Sequence, residues 1–349
     1  MKPTDFEKRI EEALLKSLGD IPFVKVESAR ELKTPWGIPD VIAKVQSPEG
    51  ERILVVEAKT SGQPRLAREA INQLSRYKSK WKNAYGIFMA PYISPRSAEI
   101  CSQEGIGYMD LAGNCYLSFD KIFIKKERPD NPFAQKRELR TLYSPKATRV
   151  LRVLLSNPRK RWKLIALAEE AQVSLGQVSN VKKLLMDREW IQASDEGFSL
   201  NTPQALLTEW SDNYSYRRNR IYEYYSLNRI EDIEVKLADT CRSEGITYAF
   251  TGFSAAERLS PAVRYQKVAA YVQDKIERVA SLLNLKKVST GSNISLWDPY
   301  DAGVFYACRE IKGVQVVSPI QAYLDLKAFK GRGEEAANAL LDELIKPKC

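Results

Sequence analysis

Apolar residues recur at helical spacing from Thr4 onward, at Phe6, Ile10, Leu14 and Leu18, and predict an amphipathic helix near the start of the chain. Short apolar runs at Val41–Val45, Ile53–Glu57 and Tyr85–Ala90 predict strands, and the amphipathic stretch Pro64–Trp81 predicts a helix between the last two. Two further strands, around Gly107–Asp110 and Cys115–Phe119, flank the turn Leu111-Ala-Gly-Asn114. Helix, adjacent strands, helix and strand describe an α/β core around a mixed sheet.

The pattern changes after a polar connector, Glu127-Arg-Pro-Asp-Asn-Pro-Phe133, whose prolines and charges suit a linker. After Ser144-Pro145, an N-cap followed by proline at the first helical position, Val150, Leu151, Val153, Leu154 and Leu155 form an apolar helical face. A second helix, Lys163–Ala171, leads through a short turn bearing Val173 into a third that begins at Ser174. Trp190-Ile191 and Phe198–Leu200, separated by Ser-Asp-Glu-Gly, predict a hairpin, so the segment reads as a winged helix-turn-helix. The remainder opens with an aromatic- and arginine-rich stretch, Trp210–Tyr225, expected to be helical. Strand, turn and helix follow over Gly245–Glu257, a strand over Lys267–Val272, strand then helix over Val314–Leu326, and a helix from Gly331. The expected organisation is an α/β chain of three domains: residues 1–130, 135–201 and 202–349.

Composition narrows the chemistry. The 349 residues include no histidine, which excludes Ser-His-Asp triads, Cys-His dyads and histidine-ligated metals. Catalysis would have to use carboxylates, lysine, tyrosine or a carboxylate-bound hard cation. Five scattered cysteines without a Cys-x-x-Cys pair read as reduced thiols. A charged start running directly into a helix, with no long apolar stretch, reads as a cytoplasmic protein without a membrane span. The net charge of +10 is concentrated: residues 135–190 hold thirteen Lys/Arg against five Asp/Glu. Such a block is the footprint of phosphate binding.

In the first domain the informative residues are Pro39-Asp40 and Glu57-Ala58-Lys59. Alternation along a strand projects Glu57 and Lys59 from one face, and antiparallel pairing can bring Asp40 beside them. Two carboxylates can hold Mg²⁺ while Lys59 orients or deprotonates a water, the combination phosphodiester hydrolysis needs. This set resembles the PD-(D/E)XK nuclease superfamily, whose fold is that of restriction endonucleases. Gln73-Leu-Ser-Arg-Tyr77 is similar to the Gln-x-x-x-Tyr motif of its RecB-like members. The resemblance implies a catalytic set of Asp40, Glu57, Lys59, Gln73 and Tyr77, and a glutamate from the first helix, for which Glu11 is chosen over Glu7. Asp110 is expected to serve its turn.

In the second domain, Val178, Val181, Leu184 and Leu185 turn inward and leave Ser174, Gln177, Ser179, Asn180, Lys182 and Lys183 for base edges and phosphates of duplex DNA. Arg159, Lys160 and Arg161 add a basic run ahead of the second helix. In the third, Thr251-Gly-x-x-Ala-Ala256, then Val317-Ser-Pro-x-Gln-x-x-Leu-Asp-Leu326 and Gly331-Arg-Gly-Glu-x-Ala336, resemble the AbiEi-type antitoxins of type IV toxin–antitoxin systems. That resemblance implies transcriptional autoregulation and opposition to a nucleotidyltransferase toxin, although a nuclease-like segment precedes the winged helix here. The expected function is a DNA-binding, antitoxin-like regulator; the alternative is a Mg²⁺-dependent DNA endonuclease.

Overall fold

The computed structural model describes residues 3–19, 25–30, 39–47, 49–81, 83–127, 142–261, 265–329 and 331–348. The connector after Glu127 falls outside them, as do Lys136, Arg137 and Arg140 of the basic block. The chain divides into two compact units, one of residues 1–138 with Met186–Glu189, the other of Leu139–Leu185 with Trp190–Cys349. The segments read as second and third domains therefore lie, almost whole, in one unit.

The first unit runs α1 (Pro3–Gly19), β1 (Lys25–Arg30), β2 (Val41–Ser47), β3 (Gly50–Ala58), α2 (Pro64–Lys78), β4 (Ala84–Ala90), α3 (Pro95–Gln103), β5 (Gly107–Asp110), β6 (Cys115–Phe119) and β7 (Ile122–Lys126). The strands form a mixed sheet in sequence order, with parallel pairing from β3 through β5 and antiparallel pairing elsewhere. Strand alternation divides its residues between two cores. Ile10, Leu14 and Leu18 of α1 pack with Val41, Val45, Leu54, Val56 and Met89 on one face. Ala67, Ile71 and Leu74 of α2 pack with Val55, Phe88 and Ile100 on the other. Strands β1 and β7 and helix α3 have no counterpart among the elements expected from sequence; their short, mixed polar patterns carry little periodicity.

The second unit begins with α4 (Pro145–Ser156), α5 (Leu164–Glu170), α6 (Leu175–Asp187), β8 (Ile191–Ser194) and β9 (Gly197–Leu200). The α5–α6 turn is closed by Val173 N–H donating to the Ala168 carbonyl at 3.0 Å, with Gln172 left-handed at φ 52°. Trp162 exchanges two backbone bonds with Phe198, 2.8 and 3.1 Å, and so ties the hairpin to the α4–α5 connection. A Cβ on Gly197, whose φ is 137°, would meet the Trp162 carbonyl oxygen at 2.6 Å, so this close approach needs glycine.

Continuing the chain are α7 (Pro203–Asp212), β10 (Arg220–Tyr225), α8 (Ile230–Ser243), β11 (Tyr248–Phe250), α9 (Gly252–Leu259), β12 (Val268–Val272), α10 (Ile276–Leu282), β13 (Lys286–Lys287), β14 (Ile294–Asp298), β15 (Arg309–Ile311), β16 (Val314–Val316), α11 (Pro319–Lys327) and α12 (Arg332–Leu340). Their strands form a second mixed sheet ordered β13-β10-β14-β12-β11-β16-β15. The stretch Trp210–Tyr225 is not one helix: α7 stops at Asp212 and Arg220–Tyr225 is a strand paired with β14. Its run of Ile221, Tyr222, Tyr224 and Tyr225 suits a pleated surface, and sheet pairing outweighs helical spacing. One hydrophobic core extends from Leu142, just ahead of α4, to Ile345. Among the described residues no helix is long and apolar enough to cross a membrane.

Candidate functional site

Strands β2 and β3 pair antiparallel with Val41 opposite Val56 and Ile42 opposite Val55. Continued by one residue, that register sets Asp40 opposite Glu57. Because Val55 faces α2, alternation turns Glu57 toward α2 as well. Helix α2 meets it with Gln73 and Tyr77, four residues apart on one helical face. The Lys59 ammonium donates to Glu57 Oε1 at 2.8 Å and to Gln73 Oε1 at 2.7 Å. Asp40 Oδ2 accepts the Ala58 backbone N–H at 2.7 Å, at the end of β3. The Lys59 N–H in turn donates to the Met89 carbonyl at 2.9 Å, which carries the β3–β4 ladder past the last strand residue.

Glu57 is 4% exposed. Burial raises its pKa; the bond from Lys59 offsets part of this, while the Asp40 charge adds to it. Burial also raises the Tyr77 hydroxyl, helped by the charges of Glu57 and Asp40, so Tyr77 sits as a neutral phenol in the field of both carboxylates. Glu57 Oε2 is buried and has no hydrogen-bond partner among the described residues. An unsatisfied carboxylate oxygen beside a second carboxylate suits a hard divalent cation. Mg²⁺ is commonly held by only one or two carboxylates plus waters. Among the described residues no group of three or more potential ligands converges, so a cation here would rest on Asp40 and Glu57 alone. Glu11 lies on α1, which packs on the opposite face of the sheet, and its side chain is outside the described residues.

Asp110 sits one strand beyond β4, and its carboxylate is used locally. It accepts the Ile93 N–H at 3.0 Å, the Asn114 N–H at 2.8 Å and the Asn114 side-chain amide at 2.7 Å. These bonds hold the Leu111–Gly113 turn, as Asp and Asn do in such turns.

In the second unit, Val178, Val181 and Leu185 bury one side of α6, and Leu184 packs against the same core. Ser174, Ser179, Asn180 and Lys183 are exposed, while Gln177 and Lys182 are half-buried. Ser174 Oγ accepts the Gln177 N–H at 3.2 Å and caps the helix. The Lys182 ammonium lies 5.2 Å from the centre of the Phe198 ring, leaning on the hairpin. Arg159, Lys160 and Arg161 are exposed but differ in surroundings. Arg161 pairs with Glu196 at 2.7 Å, whereas Lys160 lies 3.8 Å over the Trp162 ring.

The basic block is smaller at the surface than in the sequence. Arg149 forks onto Asp301 at 2.8 and 3.1 Å. Arg152 is 1% exposed, donates to Gln321 Oε1 at 3.1 and 2.6 Å, and lies 5.1 Å from the Trp210 ring centre. Gln321 continues to Asp325 at 3.0 Å, whose carboxylate also accepts from Tyr271, Tyr214 and Thr251. Sequence reasoning also missed two exposed apolar residues beside the turn, Ile165 at 62% and Leu175 at 49%. They border a groove of about 710 Å³ that reaches Gln177. The one available signal was that neither falls on the inward face of its helix.

Residues 199–346 match a family described as transcriptional regulator, AbiEi antitoxin, of type IV toxin–antitoxin systems. The match covers the segment whose Thr-Gly-x-x-Ala-Ala and Ser-Pro-x-Gln motifs carry that resemblance. No curated protein matches the chain. Among solved structures, similarity extends to a repair endonuclease from Pyrococcus abyssi, 21% identical with a TM-score of 0.25, over 30% of this chain and 46% of that one. A complex of EndoMS with double-stranded DNA has the same identity and TM-score, over 30% of this chain and 44% of that one. EndoMS in its apo form is 20% identical with a TM-score of 0.23, over 30% and 45%. The chain spans under half the length of each.

Proposed function

We propose that this chain is a DNA-binding transcriptional regulator of the antitoxin type, reading duplex DNA with α6 as the recognition helix of a winged helix-turn-helix. The carrying observation is that the antitoxin-regulator match at residues 199–346 shares one hydrophobic core with the helical segment ahead of it. Helix α6 presents Ser179, Asn180 and Lys183 outward, residue types that pair with base edges and phosphates. A nucleotidyltransferase-like toxin would be the protein partner, and the cytoplasm the site of action. Anisotropy titration of duplex DNA over a salt series tests this. Affinity is expected to fall steeply with salt, and Lys183→Glu to weaken binding to every sequence. Affinity indifferent to both would overturn the reading. Co-purification with the product of a neighbouring toxin gene tests the partner.

A second reading is supported by Glu57 Oε2, which has no partner among the described residues: the first unit as a Mg²⁺-dependent DNA endonuclease of PD-(D/E)XK type. Asp40 and Glu57 would hold the ion, whose chemistry is to neutralise developing phosphorane charge and acidify a bound water. Lys59 bridges Glu57 and Gln73, and so presents a fixed positive charge to a phosphate or water in the same cleft. Tyr77, neutral and buried, supports the helix face that positions Gln73. Incubation with supercoiled and linear DNA in Mg²⁺ or Mn²⁺ tests this reading, with Lys59→Ala as the control expected to abolish cleavage.

A further inference from the structure

Within the second unit a cavity of about 430 Å³ opens between the α4–α5 connection and the C-terminal segment. We propose that it binds a small organic anion carrying an apolar body, an effector site separate from α6 and from the Asp40–Glu57 cluster. Its volume lies within the roughly 300–1,000 Å³ range of small-molecule sites. Lys160 and Arg309 stand on its wall; both are exposed, and neither is in an ion pair among the described residues. Glu170 also lines the cavity, but its Oε1 accepts the Tyr306 hydroxyl at 2.8 Å. Burial and that carboxylate keep the phenol protonated.

The remaining features fit one end of such a ligand each. Leu155, Ile320, Leu344 and Ile345 supply an apolar wall. Trp162, 2% exposed, is among the lining residues, with the Lys160 ammonium 3.8 Å over its ring. The first turn of α11 (Pro319, Ile320) borders the same space, so the positive end of that helix adds to the two cations. The anionic head belongs with Lys160 and Arg309, and the body against the aliphatic wall.

This inference goes beyond the regulatory reading, and its test needs no DNA. The full-length chain is titrated calorimetrically with AMP, with phenyl phosphate and with inorganic phosphate at constant ionic strength. One-to-one binding of AMP or phenyl phosphate is expected, with inorganic phosphate at least roughly tenfold weaker. AMP alone binding identifies a nucleotide site, and both binding identifies a general aryl-anion site; either supports the proposal. Arg309→Ala is expected to weaken binding by about tenfold or more, as loss of one charge-assisted contact does. Lys163→Ala, exposed and off the cavity wall, should leave it unchanged. No heat with either organic anion up to ~5 mM would overturn the proposal. So would equal binding of inorganic phosphate, or indifference to Arg309→Ala.

Discussion

Lys59 donates to Glu57 Oε1 at 2.8 Å across a separation of only two residues, because Glu57 on β3 and Lys59 just past its end share the face covered by α2. Gln73 holds the same ammonium from the helix side at 2.7 Å. The lysine therefore compensates one oxygen of a buried carboxylate, while the other oxygen has no partner among the described residues. That imbalance sets how the first unit should respond to substitution, pH and metal.

Lys59→Ala should destabilise the first unit by about 1–3 kcal/mol near neutral pH, since it strands a buried carboxylate. The pH dependence has a definite sign. Burial already raises the Glu57 pKa, and loss of Lys59 raises it further. The stability linked to a raised pKa is present below the unfolded value and lost as pH rises through the folded one. The defect should thus be largest at pH 7–8 and shrink toward pH 4. A melting series across pH with wild type and variant reads it directly; a pH-independent defect would mean that Lys59 acts through packing.

Mg²⁺ or Mn²⁺ should raise the melting temperature of the first unit, with a stabilisation of about 2.7 kcal/mol at a hundredfold excess over Kd. Asp40→Asn or Glu57→Gln should remove the effect. Because the ion needs an ionised Glu57, the stabilisation should fade as pH drops through the raised Glu57 pKa. Calorimetric scans with and without metal measure both.

Two neighbours on α6 should separate affinity from sequence discrimination. Lys183→Ala is expected to weaken DNA binding evenly across sequences and to lower the salt slope by about 1. Asn180→Ala is expected to lose about 1–3 kcal/mol of preference for the best site over a mismatched one. Lys182 is a poorer probe because it also leans on Phe198. Competition binding against single-base variants of a selected site distinguishes the two effects.

Arg152→Ala should destabilise the second unit by about 2–5 kcal/mol, because it empties a buried volume against Trp210 and leaves the buried Gln321 Oε1 without its donor. Arg152→Met, which keeps the volume against Trp210, should recover part of that loss. Urea unfolding of both variants gives the comparison. Equal losses would mean that the charge and its hydrogen bonds to Gln321, not packing, carry the contribution.

Several features are legible in the residue pattern alone. Alternation along Ile53–Glu57 puts Glu57 and Lys59 on one side of a strand, and helical spacing puts Gln73 beside Tyr77. The inward residues Val178, Val181 and Leu185 are all buried, as their spacing requires. Asp110 serves its turn, as Asp and Asn commonly do. Periodicity fails where local preference and pairing disagree: Arg220–Tyr225 has the composition of either element, and only its neighbour β14 makes it a strand.

The order of hydrophobic and polar positions by itself determined which residues turn inward and which chemistry is available, because these depend on backbone geometry and residue type alone. Tertiary structure alone decided which charges are free. Arg149 and Arg152 look like members of a DNA-facing basic run, yet partners 152 and 169 residues away, Asp301 and Gln321, draw them inside. It also decided that Lys160 and Trp162 border one cavity with Arg309, far away in the chain. Charge state and spacing are local properties; partnership depends on which distant segments fold against each other, and no window of sequence contains both ends of such a contact.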